Sequence, residues 1–429
     1  MKVSGWIGTF MLGPSVAGLF ALPLPAQDTA ELLNRMKAME DRIKALESEV
    51  QALHAALTAA APPQPAPAQT AGAPQESVTL GGAGPAAAKI LNPDISAVGD
   101  FLGAGGNGAN RGTPALEMHE SEVGFQEVID PYARADFFIS FGEQGVNLEE
   151  GYITFTALPA GLQLKAGKMR AAFGKVNTLH NHVLPWTDRP LVNQNLVAGE
   201  DGIDDAGLSL SRILPSPKGI FLEGTAQVFR GDTGNLFRAD RRSHLSTVGH
   251  LRLYRALSES TNIDLGGSFA RGHSPWADAW NQLYGADATL RWKPLRRAIY
   301  HSFVLRSELV WARTAISPSS GPIVTPFGYY VSGDYQLGRR WFLGGRFDRS
   351  QRANCLPTEP PTADSCNLNL PLNALVRDTG GSLVLTYWPS EFSQIRGQLR
   401  RTRYGEGLTA NEILFQLQFS MGAHGAHPF

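Results

Sequence analysis

Residues 413–421 have the sequence Ile-Leu-Phe-Gln-Leu-Gln-Phe-Ser-Met, in which apolar and polar side chains alternate from Phe415 onward. In an extended chain Phe415 and Leu417 fall on one face, and Gln416 and Gln418 fall on the other. A soluble sheet can contain such a strand, but similar segments recur over about 300 preceding residues. No apolar run after the N-terminus is long enough for a transmembrane helix, whereas short alternating segments are typical of membrane barrels. The pattern predicts an all-β, antiparallel transmembrane β-barrel.

We predict sixteen strands, with a range of sixteen to eighteen because strand ends are inferred to within a few residues. They cover 95–103, 116–129, 132–141, 147–157, 161–172, 205–214, 220–230, 247–257, 261–271, 282–292, 301–314, 326–337, 340–349, 379–388, 392–403 and 411–421. Tight turns alternate with links that are mostly longer, such as 173–204 and 350–378. Bacterial barrels have short periplasmic turns and long external loops. An even strand count then places both ends of the barrel in the periplasm, and Phe429 resembles the aromatic sorting signal of outer-membrane barrels.

Composition excludes several other classes of protein. The 429-residue chain is 43% hydrophobic with a mean hydropathy of -0.15, which is too polar for a helical membrane protein but suits a barrel with a wet interior. The net charge of -1 argues against a nucleic-acid partner. We find no nucleophile motif, so neither an enzymatic activity nor a cofactor is expected.

Three segments precede the predicted barrel, which covers 95–429. Residues 1–26 combine Lys2, an apolar stretch and Pro25-Ala26, which predicts a secretory signal; an uncleaved anchor helix is the alternative. Residues 29–58 predict a coiled coil. Residues 59–94 are rich in Ala and Pro, carry little charge and predict an extended linker.

The coiled-coil prediction depends on an unbroken heptad pattern. Its apolar positions are Leu32, Met36, Met39, Ile43, Leu46, Val50, Leu53 and Leu57. Arg35 and Arg42 at g would face Glu40 and Glu47 at e of a parallel neighbour, which favours a homo-oligomer over a lone amphipathic helix on the barrel. β-branched residues at a positions with Leu at d positions favour dimers in isolated peptides.

The link 173–204 is the best candidate for a functional loop. Gly167-Lys-Met-Arg-Ala-Ala-Phe-Gly174, followed by Trp186-Thr-Asp-Arg189, resembles the phosphate-selective porin O and P family. That resemblance implies sixteen strands, a trimer, and a long third loop folded inward as a constriction, and 173–204 is the third long external link. Porins that resemble this one are usually trimers, whereas the heptad pattern favours dimers, so the sequence leaves the oligomer number open. The predicted constriction residues are Lys175, His180, His182, Trp186, Asp188 and Arg189. An external surface lid is the alternative.

Alternation also predicts which charged side chains face the lumen. The basic lining residues are Arg134, Lys165, Arg252, Arg291, Arg306, Arg346, Arg396 and Arg400, and the acidic ones are Asp136, Glu223, Asp264, Asp287, Glu308, Asp334 and Asp348. The pairs Arg134/Asp136, Arg306/Glu308 and Arg346/Asp348 are two positions apart on one face and are expected to neutralise each other. A balanced lining favours a general or weakly selective pore over a phosphate filter.

Histidines and cysteines supply the remaining candidate sites. His180 and His182, and separately His424 and His427, have spacings that a Zn²⁺ or Cu²⁺ site can use, but isolated polar histidines are the commoner explanation. We therefore expect no metal site. Cys355 and Cys366 are expected to form a disulfide in an oxidising compartment, with free thiols as the alternative.

The sequence as a whole predicts an outer-membrane porin for passive diffusion of small hydrophilic solutes or ions. Its expected partners are outer-membrane lipid and further copies of the chain, with a trimer favoured by the resemblance and peptidoglycan as a further candidate. A coiled-coil envelope tether with the barrel as its anchor is the first alternative. A specific substrate or metal uptake receptor is the second.

Overall fold

The computed structural model describes residues 93–107, 114–142, 145–315, 323–354, 370–371 and 374–422, and six helical residues between 37 and 48. Several predicted features lie outside the described residues: the signal, the linker up to residue 92, the coiled-coil seam, Cys355, Cys366 and the tail histidines. The strands are β1 (Asp94–Gly106), β2 (Leu116–Asp130), β3 (Ala133–Gly142), β4 (Gly145–Phe155), β5 (Leu162–Arg170), β6 (Asp204–Ile213), β7 (Ile220–Phe229), β8 (Ser246–Ser258), β9 (Thr261–His273), β10 (Trp280–Trp292), β11 (Phe303–Ala315), β12 (Ile323–Val324), β13 (Phe327–Gly338), β14 (Trp341–Ala353), β15 (Leu375–Ser390), β16 (Ser393–Arg403) and β17 (Thr409–Gly422).

The strands form one closed antiparallel sheet. Each barrel strand pairs with its neighbours in the chain, and β17 pairs with β1 to complete the ring. In the closing pair Leu102 lies opposite Gln416 and Asp100 lies opposite Gln418. Because β12 is a two-residue strand paired only with the end of β11, sixteen strands make the barrel. The sixteen-stranded prediction is confirmed; β12 was not predicted.

The two faces of each strand have opposite character, as the alternation in β17 illustrates. Gln416 and Gln418 are 1% and 3% exposed and face inward, where Gln416 Nε2 donates to Asp100 Oδ1 at 2.9 Å. Phe415 and Phe419 are 40% and 43% exposed and face outward. A continuous outward band of such side chains is the surface that lipid would cover.

Chain connections differ between the two ends of the barrel. Links of two to six residues join β2 to β3, β4 to β5, β6 to β7 and β8 to β9, whereas 171–203 and 230–245 are long links at the opposite end. Both ends of the barrel, at Asp94 and Gly422, lie on the short-turn side. Among the described residues, no helix has the length and apolar character needed to cross a membrane.

Candidate functional site: the loop inside the barrel

The segment 171–203 between β5 and β6 contacts inward-facing side chains around much of the barrel wall. It contains two short 3-10 helices, Val176–Thr178 and Asn181–Val183, and one short α-helix, α1 (Leu191–Leu196). The α-helix packs against β13 and β14, far from β5 in the chain. We call this segment the lumenal loop.

A glycine lets the chain leave the wall at the start of the loop. Gly174 has a φ of 62°, in the left-handed region that glycine adopts without strain. A Cβ at this position would lie 2.9 Å from a carboxylate oxygen of Glu308 on β11. Both constraints favour glycine at this position.

An apolar cluster joins the loop to the wall. Trp186 and Val192 are fully buried, and the Trp186 ring lies edge-on to Tyr330, with ring centroids 5.2 Å apart. The cluster includes Phe173, Val176, Leu184, Trp186, Val192, Leu196 and Ile203 from the loop, and Phe229, Leu283, Val310, Tyr330 and Val384 from the wall. Burial of aromatic and aliphatic side chains is worth about 1.5–3 kcal/mol each, so the packing holds the loop in one position.

The first polar anchor lies beside β9 and β11. Lys175 Nζ is 3.0 Å from Asp264 Oδ2, and the backbone N–H groups of Lys175 and Val176 donate to Glu308 Oε1 at 2.6 and 2.7 Å. Two backbone donors and a lysine are thus satisfied by wall carboxylates, which is required for polar groups buried away from water.

The second anchor is His180, which is surrounded by three carboxylates of β2 and β4. Its Nδ1 lies 2.6 Å from Glu122 Oε2 and 3.0 Å from Glu149 Oε2, and its Nε2 lies 2.8 Å from Glu150 Oε2. Burial alone would lower the pKa of His180, but these hydrogen bonds outweigh it and raise the pKa well above its ordinary value. His182 is 4% exposed and lies beside the same Glu122.

The third anchor is Asp188, which contacts β14 and β16. Its Oδ2 lies 2.8 Å from both Arg346 Nη2 and Arg400 Nη1, and its Oδ1 accepts a hydrogen bond from Gln398 at 2.5 Å. Burial alone would raise the pKa of Asp188, but the two guanidinium groups outweigh it and lower the pKa to about 2. Asp188 is thus paired with arginines of the wall rather than with Lys175 or Arg189 of the loop.

Arg189 instead holds the loop to itself. It donates to the backbone oxygens of Val176 and Leu179 at 3.1 and 2.7 Å and to Asn181 Oδ1 at 2.9 Å. Burial, with the nearby charge of Arg170, lowers its pKa to about 10, so it stays cationic at neutral pH.

The predicted lining residues lie on the inner face, but their partners differ partly from expectation. Arg134 pairs with Asp136 at 2.5 Å and Arg346 with Asp348 at 2.7 Å, as spacing suggested. The pairing of Arg306 with Glu308 is wrong: Arg306 binds Asp334 across the strands at 2.5 Å, because Glu308 is taken by the loop backbone.

Four other predicted basic lining residues contact wall or loop groups. Lys165 Nζ lies 4.3 Å above the Tyr152 ring, and Arg252 binds Asp264 at 2.8 Å. Arg396 donates to Gln416 Oε1 and to the backbone oxygen of Trp186, and Arg400 pairs with Glu412 in addition to Asp188.

A cavity of about 420 Å³ lies between the loop and the short-turn side of the barrel. It extends from Lys175 and Trp186 to Trp292 and Trp388, which lie near strand ends. Its charged lining consists of six basic side chains and two carboxylates: Lys175, Arg252, Arg291, Lys293, Arg306 and Arg396, with Asp264 and Asp334. Charge is therefore not balanced at this depth, although it is nearly balanced along the whole chain.

Sequence reasoning missed the acidic wall that faces His180. Glu149 is an extra residue in β4, since Phe138 lies opposite Glu150 and Ile139 lies opposite Leu148. Such a β-bulge turns consecutive side chains toward one face. Glu120 and Glu122 share the inner face of β2, which alternation could have revealed.

Comparisons with known proteins support the fold but do not assign this chain to a family. No family model matches the chain. A protein of Aquifex aeolicus described as uncharacterized is 27% identical over 402 residues, which cover 80% of this chain and 81% of the relative.

Solved structures give a more specific likeness. A loop-deletion mutant of OmpT, an outer membrane protein of Vibrio cholerae, matches with a TM-score of 0.52 at 8% identity and covers 77% of this chain and 100% of that one. An anion-selective porin from Comamonas acidovorans matches with a TM-score of 0.51 at 10% identity, over 77% of this chain and 99% of the porin. At these identities the likeness shows the fold alone, a barrel like that of outer-membrane porins.

Proposed function

We propose that this chain is an outer-membrane porin whose lumenal loop narrows a water-filled barrel for passive diffusion of small hydrophilic solutes or ions. The observation that carries the proposal is the loop's attachment inside the ring, through Lys175, His180 and Asp188, to three different parts of the wall. Irregular backbone at membrane depth is tolerated where it is buried in protein or lines a water-filled space.

The outward surface supports a lipid environment for the barrel. Exposed apolar side chains such as Leu208, Val331, Phe347 and Phe415 occur on strands around the ring, and Trp341 stacks on Tyr387 near strand ends. Lipid-facing bands flanked by aromatic residues are typical of outer-membrane barrels. The resemblance to the porin O and P family favours a trimer, to which residues 29–58 would contribute a periplasmic coiled coil.

The cavity charge favours anions over cations. Lys175, Arg252 and Arg291 all lie within 4.0 Å of the single carboxylate of Asp264, so positive charge exceeds negative charge around it. Rings of basic side chains favour anions in pores. The lining mixes Arg with Asp, Thr, Ser and Gln, which suits a modest anion preference better than a phosphate filter.

Planar-bilayer recording tests the proposal. The full-length chain should form channels, and replacing residues 177–197 by a short Gly-Ser link should raise single-channel conductance several-fold. Heat-modifiable migration in gels checks that the shortened barrel is folded. An unchanged conductance in the folded variant would show that the loop does not limit conduction, and absence of channels in the intact protein would favour the envelope-tether alternative.

Reversal potentials in a KCl gradient test the ion preference. The Arg306→Gln and Arg396→Gln changes should each shift the reversal potential toward cations. Arg238→Gln is the matched control, because Arg238 is 60% exposed in the 230–245 link and pairs with Asp240. Equal shifts in all three variants would exclude the cavity as the source of selectivity.

A further inference from the structure

Two glutamates of β2 and two histidines of the lumenal loop meet on the inner face of the barrel. One possible ligand atom from each of Glu120, Glu122, His180 and His182 lies within 4.8 Å of the others. Glu120, Glu122 and His182 are 6%, 5% and 4% exposed, and the His180 side chain is 12% exposed. The four side chains come from segments about 60 positions apart, so the folded barrel creates the cluster.

Glu120 is the least satisfied member of the cluster. Neither of its carboxylate oxygens has a hydrogen-bond donor among the residues that the structure describes. A buried carboxylate without a donor is unfavourable by several kcal/mol unless a cation or a proton compensates it. One of its oxygens lies within 4.8 Å of a possible ligand atom on each of the other three side chains, so a compensating cation would be placed among them.

The excess negative charge around the cluster also favours binding of a cation. Glu149 and Glu150 of β4 add two more carboxylates beside His180. Within the described part of the chain, the cationic or histidine groups within 4.0 Å of these four glutamates are Arg170, His180 and His182. With all four glutamates ionised, and with His180 protonated and Arg170 counted, two negative charges remain uncompensated.

The contacts of His180 match a known arrangement around metal ions. Its Nε2 lies 2.8 Å from Glu150 Oε2, so an Nε2–H donor to this carboxylate leaves the Nδ1 lone pair facing Glu122. Metal-binding histidines usually donate their second ring N–H to a carboxylate or carbonyl in this way. A metal ion at Nδ1 would displace the proton that His180 otherwise shares with Glu122.

The donor set indicates the class of ion. Two imidazoles and two carboxylates suit Zn²⁺ and similar first-row ions, whereas Ca²⁺ and Mg²⁺ prefer oxygen ligands alone. Ligand atoms about 2.1 Å from a tetrahedral Zn²⁺ lie roughly 3.4 Å apart. The distances from Glu122 Oε2 to Nδ1 of His180 and of His182, 2.6 and 3.8 Å, bracket that separation, so small side-chain rotations suffice.

We propose that these four side chains bind one divalent transition-metal ion of the Zn²⁺ class and that the ion fastens the lumenal loop to β2. Glu150 is a positioning residue that orients His180 through Nε2. The site goes beyond pore formation, and its test does not depend on conduction. It also revises the expectation of no metal site, because Glu120 and Glu122 were not recognised as partners of the loop histidines.

Equilibrium dialysis of the tag-free, detergent-purified full chain against Zn²⁺ tests the site, with bound metal measured by mass spectrometry. All proteins carry His424→Gln and His427→Gln so that the tail histidines cannot contribute. We expect one Zn²⁺ per chain, not displaced by excess Mg²⁺, and visible absorption bands of tetrahedral Co²⁺ when Co²⁺ replaces it. His182→Gln should weaken Zn²⁺ binding about 100-fold and Glu150→Gln about 10- to 100-fold.

Two further variants decide between a metal and its competitors. Glu120→Gln keeps a neutral group of the same shape, so unchanged Zn²⁺ affinity would mean that Glu120 carries a proton, and it would overturn the proposal. His273→Gln is the control, because His273 is buried and belongs to another histidine pair, stacked on His244 with ring centroids 3.9 Å apart. Equal loss of binding in this control, or no binding by the parent chain, would also refute the site. Heat-modifiable migration confirms that each variant is folded.

Discussion

Replacing Asp188 by alanine should release the lumenal loop from the arginine-rich wall. The change removes two guanidinium contacts of 2.8 Å, from Arg346 and Arg400, and the hydrogen bond from Gln398. Removing one partner of a buried ion pair destabilises by about 3–5 kcal/mol. Because Arg346 keeps Asp348 and Arg400 keeps Glu412, we expect the low end, about 3 kcal/mol.

A loss of about 3 kcal/mol raises the undocked fraction of the loop roughly 100-fold, since each 1.4 kcal/mol is a factor of about ten. Bilayer recordings of Asp188→Ala should therefore show frequent excursions to a higher conductance level that are rare in the parent channel. Asp188→Asn, which can still accept from Gln398, should give an intermediate excursion rate.

Asp240→Ala provides the matched control for this experiment. Asp240 is 56% exposed and pairs with Arg238, which is 60% exposed, so the same truncation should change stability by no more than about 1 kcal/mol. If Asp188→Ala and Asp240→Ala give the same conductance traces as the parent, the Asp188 contacts do not hold the loop, and the reasoning from burial is refuted.

Arginines hold the pKa of Asp188 at about 2, below its unfolded value, so its contribution to docking of the loop is complete above about pH 4 and is lost as pH falls through about 2. Excursions to the higher conductance level should therefore increase below about pH 3, and less so in Asp188→Asn. Deleting residues 416–429 removes the last seven of the 14 residues of β17 and leaves much of the edges of β1 and β16 unpaired in lipid. A heat-modifiable barrel should therefore not form, and its recovery would contradict closure by β17. Ile43→Asp should dissociate the peptide 29–58 in sedimentation experiments, and a parent peptide that is monomeric at high concentration would rule out the coiled coil.

The barrel could be predicted from sequence because its strands and turns are specified by residues close together in the chain. Alternation with a period of two in segments such as 413–421 assigns each side chain to a face, and breaker residues mark the turns. The predicted start and end of β7, at 220–230, agree with the observed Ile220–Phe229 to within one residue. The register between neighbours then follows from the short turns.

Partners inside the lumen could not be predicted in the same way. Asp188 meets Arg400, which lies 212 positions later, and Lys175 meets Asp264, which lies 89 positions later. Spacing along a strand predicted the pair Arg134 and Asp136 correctly. It wrongly paired Arg306 with Glu308, because strand spacing carries no information about the loop backbone that binds Glu308. A β-bulge at Glu149 interrupts the alternation, so the inward position of Glu149 could not be predicted from the pattern either.

The loop and the wall are complementary in charge, and this explains how one segment can cross a wide barrel in a defined position. The cationic Lys175 and His180 meet carboxylates, whereas the anionic Asp188 meets guanidinium groups of β14 and β16. Rotating the loop about the barrel axis would bring Asp188 toward Glu122 and Glu150, and like charges at such depth repel strongly. Charge therefore determines the orientation of the loop. The apolar cluster around Trp186 stabilises the docked loop, but hydrophobic burial is not directional and does not specify that orientation. The same separation of charge leaves the acidic wall around His180 suited to a metal cation and the basic cavity near Arg396 suited to diffusing anions.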